Sequence, residues 1–382
     1  MLAVTLIITL LPFDFDRPRA WRVIVHGHPV DFVANILLFV PLGFFYHMAR
    51  GARHSAFSVL MAGALASVAI ESAQLFEAAR NASVLDVAAN ALGAWLGALA
   101  YDRVARSNEI NGRLVGWLAL ELPLIGLVYL LVPLLWIDAL SSGTEAMRAA
   151  TAPLLGIFGA ILLGGIQRHY FGPARASDPR RTAAIAALWF LAGAFPALPS
   201  RWVEVTSGAV AAGALCWWVG RRRPQAAASN RRFEVSLLKA AAPVYAAYLA
   251  LITIAPLLDH AGAWWIGLGF AADASNQIEI LRLLELVAAF TLLGYIVAEW
   301  RGRAVLRYRD ALARLVGWSV AVACTVELVR GYQEGHGASV TRGALLIGAA
   351  LYGGWLYYLQ RAHVVRLVSE RAPDAPPAAT AA

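Results

Sequence analysis

The residues with chemistry to offer gather between positions 31 and 90. Glu71 and Gln74 are three apart, so a helix places them on one face. Asp86, Asn90, Gly93 and Gly97 are spaced four, three and four and form one stripe. Arg80 falls between the two groups, and Ser83 with Asp86 reads as a capping box that opens a helix. Upstream, Asp31 and Asn35 are also four apart, ahead of Phe39, Pro41 and Gly43. Carboxylates, amides and a guanidinium held together suit either general acid–base work or a receptor for an anion. No His-x3-His, Gly-x-Ser-x-Gly, Cys–His or Walker pattern accompanies them. A non-enzymatic role is therefore expected, with no catalytic residue, no metal site and no cofactor. Two readings of the cluster stay open. It is a shared polar site, since ionisable groups at a bilayer are costly. Or it only caps helices and pins a turn, since carboxylates stabilise helix N-termini without any further role.

The elements that must position these residues are apolar. Only 15% of the 382 residues are charged, against about 25% in a soluble domain, and the mean hydropathy is +0.62. About twelve hydrophobic segments follow one another, near 1–13, 31–49, 56–76, 84–101, 114–136, 147–167, 182–199, 203–220, 236–258, 278–299, 312–332 and 338–360. The fold class read from them is all-α, a polytopic integral membrane helical bundle whose first partner is the lipid bilayer. Runs of this length exclude a β-barrel. Cys216 and Cys324 lie alone in apolar segments, without metal-ligand spacing.

The net charge of +8 does not point to nucleic acid. Arginines gather in alternate loops, after segments 2, 4, 6, 8, 10 and 12. The remaining loops are poorer in arginine or carry acids, such as Asp138 and Glu145. This asymmetry places both termini in the cytoplasm and the Glu71–Asp86 cluster at the outer face. Leu2 to Leu11 lacks a basic start and a small-x-small cleavage site, and reads as a retained first helix that is short for a span. Residues 225–230 read as a linker, and the Pro- and Ala-rich tail 372–382 as disordered.

The last four segments echo the first four. A shift of 256 carries Glu71 onto Glu327, Ser83 onto Ser339 and Gly97 onto Gly353. The same shift replaces Gln74 by Arg330, Asp86 by Arg342 and Asn90 by Leu346. A shift of 251 takes Gly43 to Gly294 and Asp31 to Arg282. The expected architecture is a parallel internal repeat of four-helix units, with Arg282, Glu327, Arg330 and Arg342 as a secondary cluster. Facing copies would set these arginines against Asp31, Glu71 and Asp86, as a structural lock or as half of a binding site.

The ordered set Asp31, Asn35, Phe39, Pro41, Gly43, then Glu71, Gln74, Arg80, Ser83, Asp86, Asn90, Gly93 and Gly97 resembles the VanZ-like domain. Leu10-Leu-Pro12-Phe13 resembles that family's usual entry. The resemblance covers residues 1–101. Residues 236–360 resemble a degenerate copy, and a middle four-helix region, 114–220, is uncovered. The resemblance implies a multi-pass protein of the bacterial inner (cytoplasmic) membrane and the cell envelope. It also implies a link to teicoplanin resistance, through a lipid-linked or anionic envelope ligand. The alternative is a transporter or lipid flippase built from parallel repeats, in which Glu285 would lie near the midplane with a path for water.

Overall fold

An apolar run long enough to cross a bilayer satisfies its backbone by coiling into a helix, and helices make up nearly all of this chain. The computed structural model describes residues 5–6, 9–10, 23–24, 29–50, 55–76, 82–108, 112–141, 146–170, 178–221, 233–259, 261–268, 277–301, 307–334 and 337–371. Among these are eleven helices. In order they are α1 (Pro29–Arg50), α2 (Ala56–Gln74), α3 (Val84–Asn108), α4 (Gly112–Ser141), α5 (Thr151–Tyr170) and α6 (Pro179–Gly193). Then come α7 (Trp202–Arg221), α8 (Phe233–Asp259), α9 (Gln277–Arg301), α10 (Tyr308–Arg330) and α11 (Val340–Arg371). They correspond to the second through twelfth expected segments. Of the first, residues 5–6 and 9–10 are helical, and the Thr9 hydroxyl donates to the Thr5 carbonyl at 2.8 Å.

Eight stretches, in α2, α3, α4, α5, α7, α8, α9 and α10, are long and apolar enough to cross a membrane. The chain is a multi-pass, all-α membrane protein. Among the described residues, not every expected segment is long enough to span by itself. α1 carries only the shorter apolar stretch Asp31–His47. α6 has 15 residues, below the roughly 20 a span requires. Its expected end near 199 is replaced by a short 3-10 turn at Phe195–Ala197.

Two compact units divide the chain, Met1–Val115 and Gly116–Ala382. In the first, α1 and α3 lie parallel at close range. A Cβ on Gly43 would overlap the Ala94 carbonyl, and one on Gly97 would overlap the Val40 carbonyl. Small residues are what allow two backbones to approach this far. α2 runs antiparallel against α3, with Ser67 opposite Asn90. A two-residue parallel pair joins β1 (Val23–Ile24) to β2 (Ala82–Ser83) beside the start of α3.

The second unit holds α4 to α11 around one apolar core that includes Leu131, Phe158, Phe190, Tyr248 and Phe290. The segment read as a linker, 225–230, lies outside the described residues. Within this unit, α9, α10 and α11 are laid out as α1, α2 and α3 are. Gly294 meets the Ala350 carbonyl and Gly353 the Thr291 carbonyl, so α9 and α11 are backbone-close. β3 (Ile266–Gly267) pairs in parallel with β4 (Ala338–Ser339) just before α11. Gly337 precedes β4 at φ +50°, a conformation that glycine adopts readily, and its missing Cβ leaves room for the Trp265 ring.

Candidate functional site

The start of α1, the end of α2 and the start of α3 come together at one end of the first unit, so most of the expected polar residues do too. Glu71, Gln74, Ser83 and Asn90 are buried there. The Glu71 carboxylate accepts the backbone N–H of Ser83 at 2.7 Å. Ser83 in turn uses its hydroxyl to accept the Asp86 N–H at 3.3 Å. The expected capping box is therefore half formed as read. The serine caps the helix, and a glutamate from α2 holds the Ser83 N–H. The Gln74 amide donates to the Thr9 carbonyl at 2.7 Å, tying α2 to the first segment. Asn90 donates to Ser67 Oγ at 2.8 Å.

The other described members are less buried. Asp31, in the first turn of α1, is exposed, and Asn35 and Asp86 are half-buried. Arg80 lies outside the described residues. Gly93 and Gly97 seat α3 on α1. At the opposite end of the same unit is a pair the sequence gave no hint of. His47 Nε2 and Asp102 Oδ1 are 2.9 Å apart, with His47 buried against the Tyr101 ring. The two residues are 55 apart in sequence and on different helices, which hides them from any local pattern.

The secondary cluster occupies the corresponding end of α9, α10 and α11. Glu327 Oε2 accepts the Ser339 N–H at 2.7 Å, and Ser339 Oγ accepts the Arg342 N–H at 3.2 Å. Arg342 Nε and Nη2 then grip the two Glu327 oxygens, each at 2.8 Å, and Nη2 also donates to the Gly337 carbonyl. The partners of Arg342 thus lie in its own unit. Arg282 is half-buried, and Arg330 is 6% exposed.

A second ion pair reaches deeper. Arg148, in the short 3-10 helix before α5, donates to Glu285 Oε2 at 2.7 Å, and both side chains are 1% exposed. Ser141 and Tyr248 donate to the same carboxylate, each at 3.0 Å. Glu285 lies eight residues into α9, about 12 Å from the helix start. Asp138 is fully buried nearby. It belongs to α4 and not to a loop, because the helix runs on to Ser141. Arg148, Ser141 and Tyr248 were invisible in the sequence. The signal that could have found them is an arginine at the mouth of one apolar run and a glutamate inside another.

Residues 3–105 match the family model described as VanZ/LLP1. Those residues form a VanZ-like domain. No curated protein and no solved structure matches the chain. The VanZ-like match ends near the close of the first compact unit and covers every member of the first polar cluster, Arg80 included.

Proposed function

We propose that this is a protein of the bacterial inner membrane, with both termini in the cytoplasm. Its VanZ-like domain binds an amphiphilic, anionic or lipid-linked envelope precursor at its outward polar end, and thereby modulates susceptibility to teicoplanin. The observation that carries this is the convergence of three helix ends. Asp31 is exposed and Asn35 and Asp86 half-buried, over a floor of Glu71, Gln74, Ser83 and Asn90 that is buried and hydrogen-bonded. A rigid floor under accessible polar groups is what a preorganised receptor needs. The floor residues maintain the shape, and Arg80, Asp31 and Asp86 meet the ligand.

The same reading divides the chain into a VanZ-like domain (1–101), a middle region (114–220), a degenerate second copy (236–360) and a tail (372–382). Shared glutamate clamps and shared glycine contacts support the second copy. The test replaces Arg80→Ala and Asp86→Asn separately in the native host, checks membrane abundance, and compares teicoplanin susceptibility with a deletion strain. Normal abundance with deletion-like susceptibility is the expected result. Loss of abundance would assign the cluster to folding alone, and a deletion without any envelope phenotype would remove the teicoplanin role.

A transporter or flippase reading draws on one observation, the Arg148–Glu285 pair inside the second unit. Intramembrane charges of this kind mark translocation paths in many carriers. It requires that Glu285→Gln abolish movement of a labelled lipid across proteoliposome bilayers without loss of folded protein.

A further inference from the structure

Arg330 closes α10 on its inward face. Ala311, Leu315, Ser319, Ala323 and Val326 precede it along the same buried stripe. Its side chain is buried, yet among the described residues its guanidinium makes no hydrogen bond, and Nε is fully shielded without a partner. Its electrostatic neighbours are two ion pairs, Arg342 with Glu327 and Arg148 with Glu285. Each glutamate already holds an arginine, and the third buried carboxyl group, Asp138, lies against Glu285 and Arg148, so Arg330 has no carboxylate of its own. A buried cation without a counter-ion is expensive. In the first unit the corresponding position is Gln74, which is neutral and spends its amide on the Thr9 carbonyl. The substitution therefore adds a charge at a place where the fold needs only an amide.

We propose that Arg330 is the receptor for an oxyanion, the phosphate of a membrane lipid, in a site separate from the VanZ-like domain and independent of its proposed ligand. Guanidinium is the side chain whose planar fork matches a phosphate. An anion would give the Arg330 guanidinium the hydrogen-bond partner it lacks. Val329, next to Arg330, and Val326, one turn earlier, line a groove of about 920 Å³ between α8, α9 and α10, whose wall stops short of Arg330 itself. The groove is apolar along most of its wall, from Trp318 to Thr253 and Leu249. A lipid chain lying in it would bring its phosphate to the level of Arg330, which favours a lipid over a free ion.

The test uses the full chain, purified in a neutral detergent and followed by thermal unfolding. Phosphatidylglycerol, phosphatidylcholine and inorganic phosphate are titrated in turn. Phosphatidylglycerol is expected to raise the midpoint of the wild type, and phosphatidylcholine and inorganic phosphate are not. Arg330→Gln, which restores the residue found at the first unit's position, is expected to melt no lower than wild type without lipid. It should bind phosphatidylglycerol about ten- to a hundred-fold more weakly, the loss of one charge-assisted contact. A response to inorganic phosphate that Arg330→Gln removes would keep the anion site and overturn the lipid as its source. Equal lipid responses in the two proteins would overturn the proposal. So would an Arg330→Gln protein that is destabilised without lipid, since that marks a structural arginine. If Arg330→Gln cannot be recovered folded, Arg330→Lys decides. Weaker but still anion-selective binding supports the proposal, and unchanged binding rejects it.

Discussion

The helices α1–α3 and α9–α11 are built on one set of backbone contacts and carry different polar groups. Both sets have a glutamate that holds a serine N–H at 2.7 Å, and a serine that caps the next helix. Both bring helices together through glycines pressed on carbonyls. Where α1–α3 have Gln74, Asp86 and the Asn90–Ser67 hydrogen bond, α9–α11 have Arg330, Arg342 and, at the last two positions, buried Leu346 and Ala323. The glutamate clamp and the glycine contacts are thus the scaffold. If the two sets are copies of one unit, their polar groups change only as pairs: Leu346 and Ala323 would stand for Asn90 and Ser67, which avoids leaving a buried hydroxyl unsatisfied.

The largest test of that rule changes one partner of a buried pair. Arg342→Asp should set a second carboxylate against Glu327 and cost about 3–5 kcal/mol, as should Arg148→Ala beside Glu285. Both are read as a fall in the thermal midpoint of the detergent-solubilised protein, and a cost below about 1 kcal/mol would mean that the pairs are not what holds α9–α11. The reverse exchange, Asp86→Arg, places an arginine beside Glu71 as the second unit does beside Glu327. It should stay within about 1 kcal/mol of wild type, being half-exposed.

Leu346→Ala should cost about 3 kcal/mol, since it empties a fully buried site, and Asn90→Ala about 1 kcal/mol. The double change Ser67→Ala with Asn90→Leu reproduces the second unit's pair. It should recover most of the Asn90→Ala loss, and failure to recover it would break the equivalence of the two sets. The smallest effect is a shared one. Ser83→Ala and Ser339→Ala should each cost about 1 kcal/mol or less, and by the same amount, as loss of equal helix caps. Unequal losses would show that the two caps are not doing the same work.

Much of this was readable in advance because it is local or periodic. The helix positions followed from apolar runs, and Gly93 and Gly97 share the helix stripe that their spacing gives. One constant shift relates Glu71 to Glu327 and Ser83 to Ser339, and in each set the glutamate accepts the serine N–H. What stayed hidden depends on distance in the chain. Arg148 meets Glu285 across 137 residues, so neither residue's neighbours announce the other. Asp138 looked like a loop acid because a charge at the end of an apolar run usually marks the surface, and here the helix continues past it into the core. Glu71, Gln74, Ser83 and Asn90 stand out in the sequence as polar residues among apolar runs, and all four are buried. Their wiring was not readable there, because a backbone N–H competes for the same carboxylate that sequence logic assigns to side chains.

The two-residue strands set an order on biosynthesis. Val23 can pair with Ala82, and Ile266 with Ala338, only after the whole intervening pair of helices has emerged. At about 5–20 residues per second, each upstream strand waits several seconds for its mate. During that interval the ends of α1 and α9 are open to whatever insertion factor or lipid is at hand. The emergence of Ala82–Ser83 and of Ala338–Ser339, each just ahead of the next helix, decides when that window shuts.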